Sequence, residues 1–210
     1  MGSDEALKSS SARLWKLVEE RTKNDADTET IDQRIWDLFG EEWSIMFTDL
    51  AGFSRQVAKF GIIHFLQVIF EQKRLLLPIV ERHDGVLIKI EADSFLILFK
   101  KPSTAVACAI AMQKACAATN ARRTPEEQIV LCVGVGHGRL LKIGDDDVFG
   151  HEVNLASKLG EDTAKANEVL VTGAARVAAG EFPEIAYEEL TQSIPGTDRA
   201  YRVSYKQLGS

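Results

Sequence analysis

No stretch of this chain is both apolar and long enough to cross a bilayer as a helix, and no signal peptide opens it. Ala6 stands where an N-myristoylation signal after Met1-Gly2 would need serine or threonine. Membrane insertion is therefore not expected. Cysteine is scarce. Cys108, Cys116 and Cys132 lie in apolar segments without metal-type spacing, which reads as buried thiols of a reducing compartment and gives a cytoplasmic expectation. His64, His83, His137 and His151 show no paired ligand spacing and read mostly as helix-end or turn residues. Basic charge is short as well: a net charge of -6 and a pI of about 5.3 argue against a nucleic-acid polymer or an anionic membrane as partner. A local basic pocket for a small phosphate ligand stays open.

What is present suits one compact domain with some extra elements: 210 residues, 45% hydrophobic and 27% charged, enough to bury a core without disulfides. Residues 5–23 read as a helix with a weak seam of Leu7, Ser11, Leu14 and Val18, able to pair with a second copy or continue an upstream partner. A polar linker follows over residues 24–30, then a short amphipathic helix carrying Ile31, Ile35, Leu38 and Phe39 and stopping at Gly40. Residues 1–40 are read as an appendage and residues 41–207 as the domain.

Within the domain, residues 45–54, IMFTDLAGFS, read as a buried strand, a glycine turn and a helix start. A long apolar helix runs from Ile62 to about His83, with a kink or break expected at Pro78. Val86, Ile88 and Ile90, then Phe95, Ile97 and Phe99, alternate around Ala92-Asp93 and predict a hairpin with Asp93 at its tip. Residues 103–121 are an alanine-rich helix. IVLCVGVGHG and RLLKIG read as a strand relaxing into glycines and its hairpin partner; a helix from about Gly150 and smaller strands complete the chain. This order is α+β: a ferredoxin-like βαββαβ core with additional strands and helices.

Asp49 ends the first strand. Taken singly it is more often a cap than a ligand, but a hairpin neighbour would bring Asp93 beside it, and two carboxylates with a backbone carbonyl can hold hard divalent cations. Lys89 interrupts an apolar strand and on spacing alone reads as solvent-facing. Asn154 and Lys158, four apart, share a helix face that by default is solvated. The run Asp145-Asp146-Asp147 does not fit a calcium loop.

FTDLAGFS, KIEADS and DVFGHEVNLASK, in this order, resemble the catalytic domain of class III nucleotidyl cyclases over about residues 43–205. The resemblance implies a homodimer whose active sites form between protomers, with ATP as substrate and two Mg or Mn ions per site. It implies that Asp49, Asp93 and the Leu50 carbonyl hold metal and that Gly52, Phe53 and Ser54 hold the terminal phosphates. From the other protomer, Lys89 and Asp147 would read the purine, in the adenine-selecting combination. An ammonium can donate to adenine N1 while a carboxylate accepts from the exocyclic amine. Asn154 would orient the ribose and Lys158 would stabilise the transition state. The implied activity is adenylate cyclase: ATP to 3′,5′-cyclic AMP and pyrophosphate.

The sequence departs from the family at three places. Lys158 replaces an arginine, Ala92 a glycine, and Pro195-Gly196 stands where many relatives carry a phosphate-binding lysine, with Arg199 as a substitute. These departures keep a second reading open, a nucleotide-binding or dimerisation module with the cyclase fold and little or no catalysis. No GGDEF-like turn supports a diguanylate cyclase.

Overall fold

The computed structural model describes residues 9–206, residues 193 and 198 excepted. Helix α1 (Ser10–Arg21) begins where the Ser9 hydroxyl accepts the Ala12 N–H at 3.1 Å. Residues 5–8 of the expected helix, Leu7 among them, lie outside the described residues. Asp27 caps α2 (Thr28–Phe39) in the same way through the Thr30 N–H, so the linker is shorter than expected. Leu14, Leu17 and Val18 of α1 close on Ile31, Ile35 and Phe39 of α2, so the α1 seam is taken up within the chain. Leu38 falls off the buried stripe and is 43% exposed.

Gly40 ends α2 with φ at -74°, without a left-handed turn; a Cβ there would stand 2.4 Å from the Trp36 carbonyl oxygen. Strand β1 (Gly40–Leu50) therefore leaves the helix directly, five residues ahead of the expected start at Ile45. Helices α3 (Phe53–Phe60) and α4 (Ile62–Arg82) follow. Pro78 does not end α4. A proline inside a helix costs about 3 kcal/mol, while fully burying each of Leu76, Ile79 and Val80 returns about 1.5–3 kcal/mol. The burial wins.

Strands β2 (Val86–Glu91) and β3 (Ser94–Phe99) form the expected hairpin, with Glu91 facing Ser94 across Ala92 and Asp93. Helix α5 (Pro102–Asn120) buries Ala105, Cys108, Ala109, Met112 and Cys116. All three cysteines are free and buried. Burial pushes Cys108 and Cys116 up to about 12 and Cys132 up to about 11, so the thiols are inert.

Strand β4 (Leu131–Ile143) corrects the sequence reading. It is one strand of 13 residues paired with β1 along the whole of β1, where a strand and a separate hairpin partner were expected. Gly134, Gly136 and Gly138 are spaced by two, so they share one face, and that bare face receives a helix instead of making a turn. A Cβ on Gly134 would stand 2.1 Å from the Ala156 carbonyl oxygen and 2.4 Å from the Gly160 nitrogen. Gly134→Ala is expected to lower stability by about 3 kcal/mol, measured by urea unfolding. An unchanged midpoint would mean that the helix can lift off the strand freely.

The chain continues through β5 (Asp147–Phe149), α6 (His151–Ser157), a π-helical turn at Lys158–Thr163, β6 (Val169–Thr172), α7 (Gly173–Ala179), β7 (Ile185–Glu189) and β8 (Ala200–Tyr205). Helix α7, capped by Thr172, was not anticipated. The sheet runs β2-β3-β1-β4-β6-β8-β7, with β5 paired to β4. Its first four strands are mutually antiparallel and, with α4 and α5, make the ferredoxin-like core. Strand β6 lies parallel to β4 and extends the sheet. One face carries Met46, Leu50, Phe95, Ile97 and Phe99 against α4 and α5. The other carries Trp43, Ile45, Leu96 and Leu98 against Val153 and Ala156 of α6. Strand alternation puts Asp49 on the α6 face with Ile45 and Phe47.

Candidate active site

Asp49 and Asp93 meet where β1 ends and the β2–β3 hairpin turns. The Leu50 N–H donates to Asp93 Oδ2 at 3.3 Å, and the Ser94 hydroxyl donates to Asp49 Oδ1 at 3.2 Å. Asp93 is only 6% exposed, and Ala92 before it takes φ at +51°, a conformation that favours glycine. Burial, and next the charge of Asp93, push the Asp49 carboxyl up to about 6. Burial likewise raises Asp93. Two half-desolvated carboxylates that resist ionising together are the setting a divalent cation relieves. Among the described residues no cluster of three or more His, Cys, Asp or Glu could hold a metal. A metal here would therefore rest on this pair and on backbone oxygen, and that hard donor set fits Mg or Mn.

Gly52, with φ at +84°, turns the chain from β1 into α3, so the first N–H groups of that helix open beside Asp49. The side chains of residues 53–56 lie outside the described residues. Phe53 and Ser54 are placed by their backbone alone.

Lys89, 34% exposed on the edge strand β2, keeps contact with solvent as its spacing suggested, but it is also paired. Its Nζ lies 3.2 Å from Asp147 Oδ1 and 3.2 Å from Glu91 Oε1. Burial would pull the Lys89 ammonium down, but Glu91 and Asp147 together hold it above its ordinary value. Asp147 is fixed in turn by its own strand: Asp147 pairs with Ile143, and its Oδ1 accepts the Val148 N–H at 2.8 Å.

Asn154 and Lys158 stand one turn apart, and the Lys158 N–H donates to the Asn154 carbonyl. Among the described residues neither side chain makes a hydrogen bond or ion pair. Lys158 opens the π-helical turn, a local irregularity frequent at functional sites. Helix α6 is held from behind by Glu152, whose Oε2 accepts from the His137 N–H at 3.1 Å and the Thr172 hydroxyl at 2.7 Å.

The structure thus joins Asp49 with Asp93, Lys89 with Asp147, and Asn154 with Lys158; no hydrogen bond or ion pair links one pair to another. A cleft of about 20 Å³ lined by Phe47, Lys89, Glu91, Ser94, Leu96 and Glu161 lies beside Lys89, too small for a nucleotide. Cavities of about 360 and 660 Å³ lie elsewhere, along α5, and touch none of the candidate residues. Glu91, Ser94 and Gln72 (described below) escaped the sequence reading. Only the hairpin register, which seats Glu91 opposite Ser94, would have pointed to the first two. His64, His83 and His151 lie at helix ends, as expected of most of the histidines, and His137 is the exception: it sits within β4, its Nδ1 3.0 Å from the Ser44 hydroxyl. Arg199 lies in the loop before β8, 3.9 Å from Glu189.

A family model described as the adenylate and guanylate cyclase catalytic domain matches residues 40–192. This chain belongs to that family. The putative adenylate cyclase 3 of Rhizobium meliloti (strain 1021) is 36% identical over 117 residues, covering 55% of this chain and 20% of its own length. The serine/threonine-protein kinase pkn2 of Myxococcus xanthus is 27% identical over 135 residues, 64% of this chain and 16% of that protein. The chain therefore spans a fifth or less of these curated relatives. Among solved structures, the adenylyl cyclase CyaB from P. aeruginosa matches with a TM-score of 0.67 at 20% identity, over 80% of this chain and 96% of that one. The dimeric guanylyl cyclase domain of the RhoGC fusion protein from the aquatic fungus Blastocladiella emersonii matches with a TM-score of 0.68 at 16% identity, over 79% and 98%. The fold is that of class III cyclase domains.

Proposed function

We propose that residues 41–207 form an adenylate cyclase catalytic domain, with residues 1–40 as a helical appendage. The observation that carries the choice of adenine is the ion pair of Lys89 with Asp147 at 3.2 Å. It presents a donor and an acceptor side by side, matching N1 and the exocyclic amine of adenine. The R. meliloti relative, named as a putative adenylate cyclase, supports the same choice.

In this reading Asp49, Asp93 and the Leu50 carbonyl hold two Mg or Mn ions. When bound, these would acidify the ribose 3′-hydroxyl and neutralise the triphosphate. The N–H groups at Gly52, Phe53 and Ser54 receive the terminal phosphates. Lys89 and Asp147 seat the base, Asn154 orients the ribose, and Lys158 balances charge growing on the α-phosphate. The 3′-hydroxyl gives up its proton to solvent or to the departing pyrophosphate, its oxygen bonds to the α-phosphorus, and the bond from that phosphorus to the bridging oxygen of the β-phosphate breaks as pyrophosphate leaves.

The small cleft within one protomer favours a site completed by a second copy. Ile63, Leu66 and Phe70, spaced along α4 and 76%, 52% and 63% exposed, supply an apolar stripe for such a contact. No helix among the described residues is long and apolar enough to cross a membrane. A cytoplasmic homodimer acting in signal transduction is the setting we propose.

Purified protein incubated with ATP or GTP and Mn or Mg tests the reading, with products separated by chromatography. Expected are 3′,5′-cyclic AMP and pyrophosphate, with at least about 10-fold less cyclic product from GTP, since the mismatched base leaves polar groups unpaired. Equal turnover of both nucleotides would sink the adenine assignment. ATP binding without product would favour the catalytically silent module, for which Lys158 and the strained Ala92 are the motivation.

A further inference from the structure

Gln72 lies on the buried side of α4 among Phe65, Val68, Ile69 and Leu76, and is 0% exposed. A side-chain amide in such a place has lost its water and must find partners in the protein. It finds one. Its Nε2 donates to the backbone carbonyl of Asp93 at 2.9 Å, while its Oε1 has no hydrogen-bond partner. A methionine or leucine would fill the same space without the unpaired Oε1, and what it would take away is the donor to the Asp93 carbonyl. Packing alone therefore does not account for the amide, and its contribution lies in what it holds.

What it holds is the hairpin tip. Only Ala92 and Asp93 join β2 to β3, Ala92 carries φ at +51°, and the Asp93 carboxylate reaches back from this turn to the Leu50 N–H. Just beyond the turn, the Phe95 N–H donates to the buried Thr48 hydroxyl at 3.3 Å. Gln72 and Thr48 thus grip the tip from two elements, and the Gln72 bond falls on the peptide of Asp93 itself.

We infer that Gln72 is a positioning residue for Asp93: by fixing the Asp93 carbonyl it sets the direction from which the carboxylate meets a divalent cation. This rests on the reading of Asp49 and Asp93 as metal ligands. Partners that orient a metal ligand commonly change metal affinity by about 10–100-fold when removed.

The test is a Mn²⁺ titration of the full chain without nucleotide, followed by the electron paramagnetic resonance of free Mn²⁺. Gln72→Met is expected to bind Mn²⁺ about 10-fold more weakly while staying folded at the temperature of the titration. Gln72→Leu repeats the test with a different side chain should Met not fold. Gln113→Met is the matched control. Gln113 is a second buried amide, on α5, that donates to the Leu131 and Glu168 carbonyls and leaves its Oε1 unpaired. Its loss should leave Mn²⁺ affinity unchanged. Parent-like binding in the Gln72 variants, or an equal loss in Gln113→Met, overturns the inference. If Asp93→Asn leaves Mn²⁺ binding intact, the metal-site reading itself fails, an outcome separate from either.

Discussion

Asp93→Asn should lose activity on the order of 10³-fold, several kcal/mol of transition-state stabilisation, and yet unfold at a higher temperature than the parent in metal-free buffer. The two effects have one cause. Asp93 and Asp49 share a corner in which burial raises both carboxyls, and the charge of Asp93 raises Asp49 further, from its ordinary value near 3.8 to about 6. The folded state therefore favours the protonated acids. The stability this brings is complete below about pH 4 and is lost as pH rises through about 6. Above that pH the metal-free protein holds charge in this corner that it would fold better without. Asn at position 93 removes a group that can charge there and should stabilise by about 1 kcal/mol once solvent screening of the partly buried Asp49 is allowed for. Added Mn²⁺ should raise the unfolding temperature of the parent more at pH 7.5 than at pH 5, and leave Asp93→Asn unmoved. Calorimetry with and without Mn²⁺ at the two pH values reads all of this. A variant less stable than the metal-free parent would show that Asp93 is a structural acid.

Lys158→Ala should lower turnover by on the order of 10²-fold or more, whereas Lys158→Arg should match the parent or exceed it. The lysine supplies charge but lacks the planar, two-pronged donor of arginine, so the parent has room to gain. Its place is well fixed. Gly160, two residues on, is wedged so closely that a Cβ would stand 2.9 Å from the Gly134 nitrogen and 2.9 Å from the Phe47 carbonyl oxygen. The Lys158 side chain itself makes no ion pair among the described residues, so neither substitution should shift the unfolding temperature. Saturating-ATP rates beside thermal unfolding separate the two quantities. Full turnover in Lys158→Ala would remove the assigned role.

Most of the fold was legible because its signals are local. The hairpin at Ala92-Asp93, the helix start after Gly52 and the alanine-rich α5 each follow from periodicity and turn chemistry over a few residues. The candidate site residues were legible as three short motifs, and the structure seats them in pairs. What escaped was non-local. The glycines of β4 look like a turn in one dimension; only a helix lying across them explains why every second position is bare. Lys89 reads as a solvated lysine until the β4–β5 hairpin carries Asp147 to it. Gln72 is one amide in a long apolar helix, and nothing near it in sequence announces a partner 21 residues on.

The bare face of β4 also has a mechanical side. Where side chains separate a helix from a sheet, they act as a compliant layer that can change rotamer and absorb a shift. Where α6 crosses β4 that layer is thin: backbone meets backbone at Gly134 and Gly136, and only the Glu152 side chain lies over Gly138. The helix therefore inherits the stiffness of the strands. The backbone that carries Asn154 and Lys158 moves with the sheet and does not slide over it.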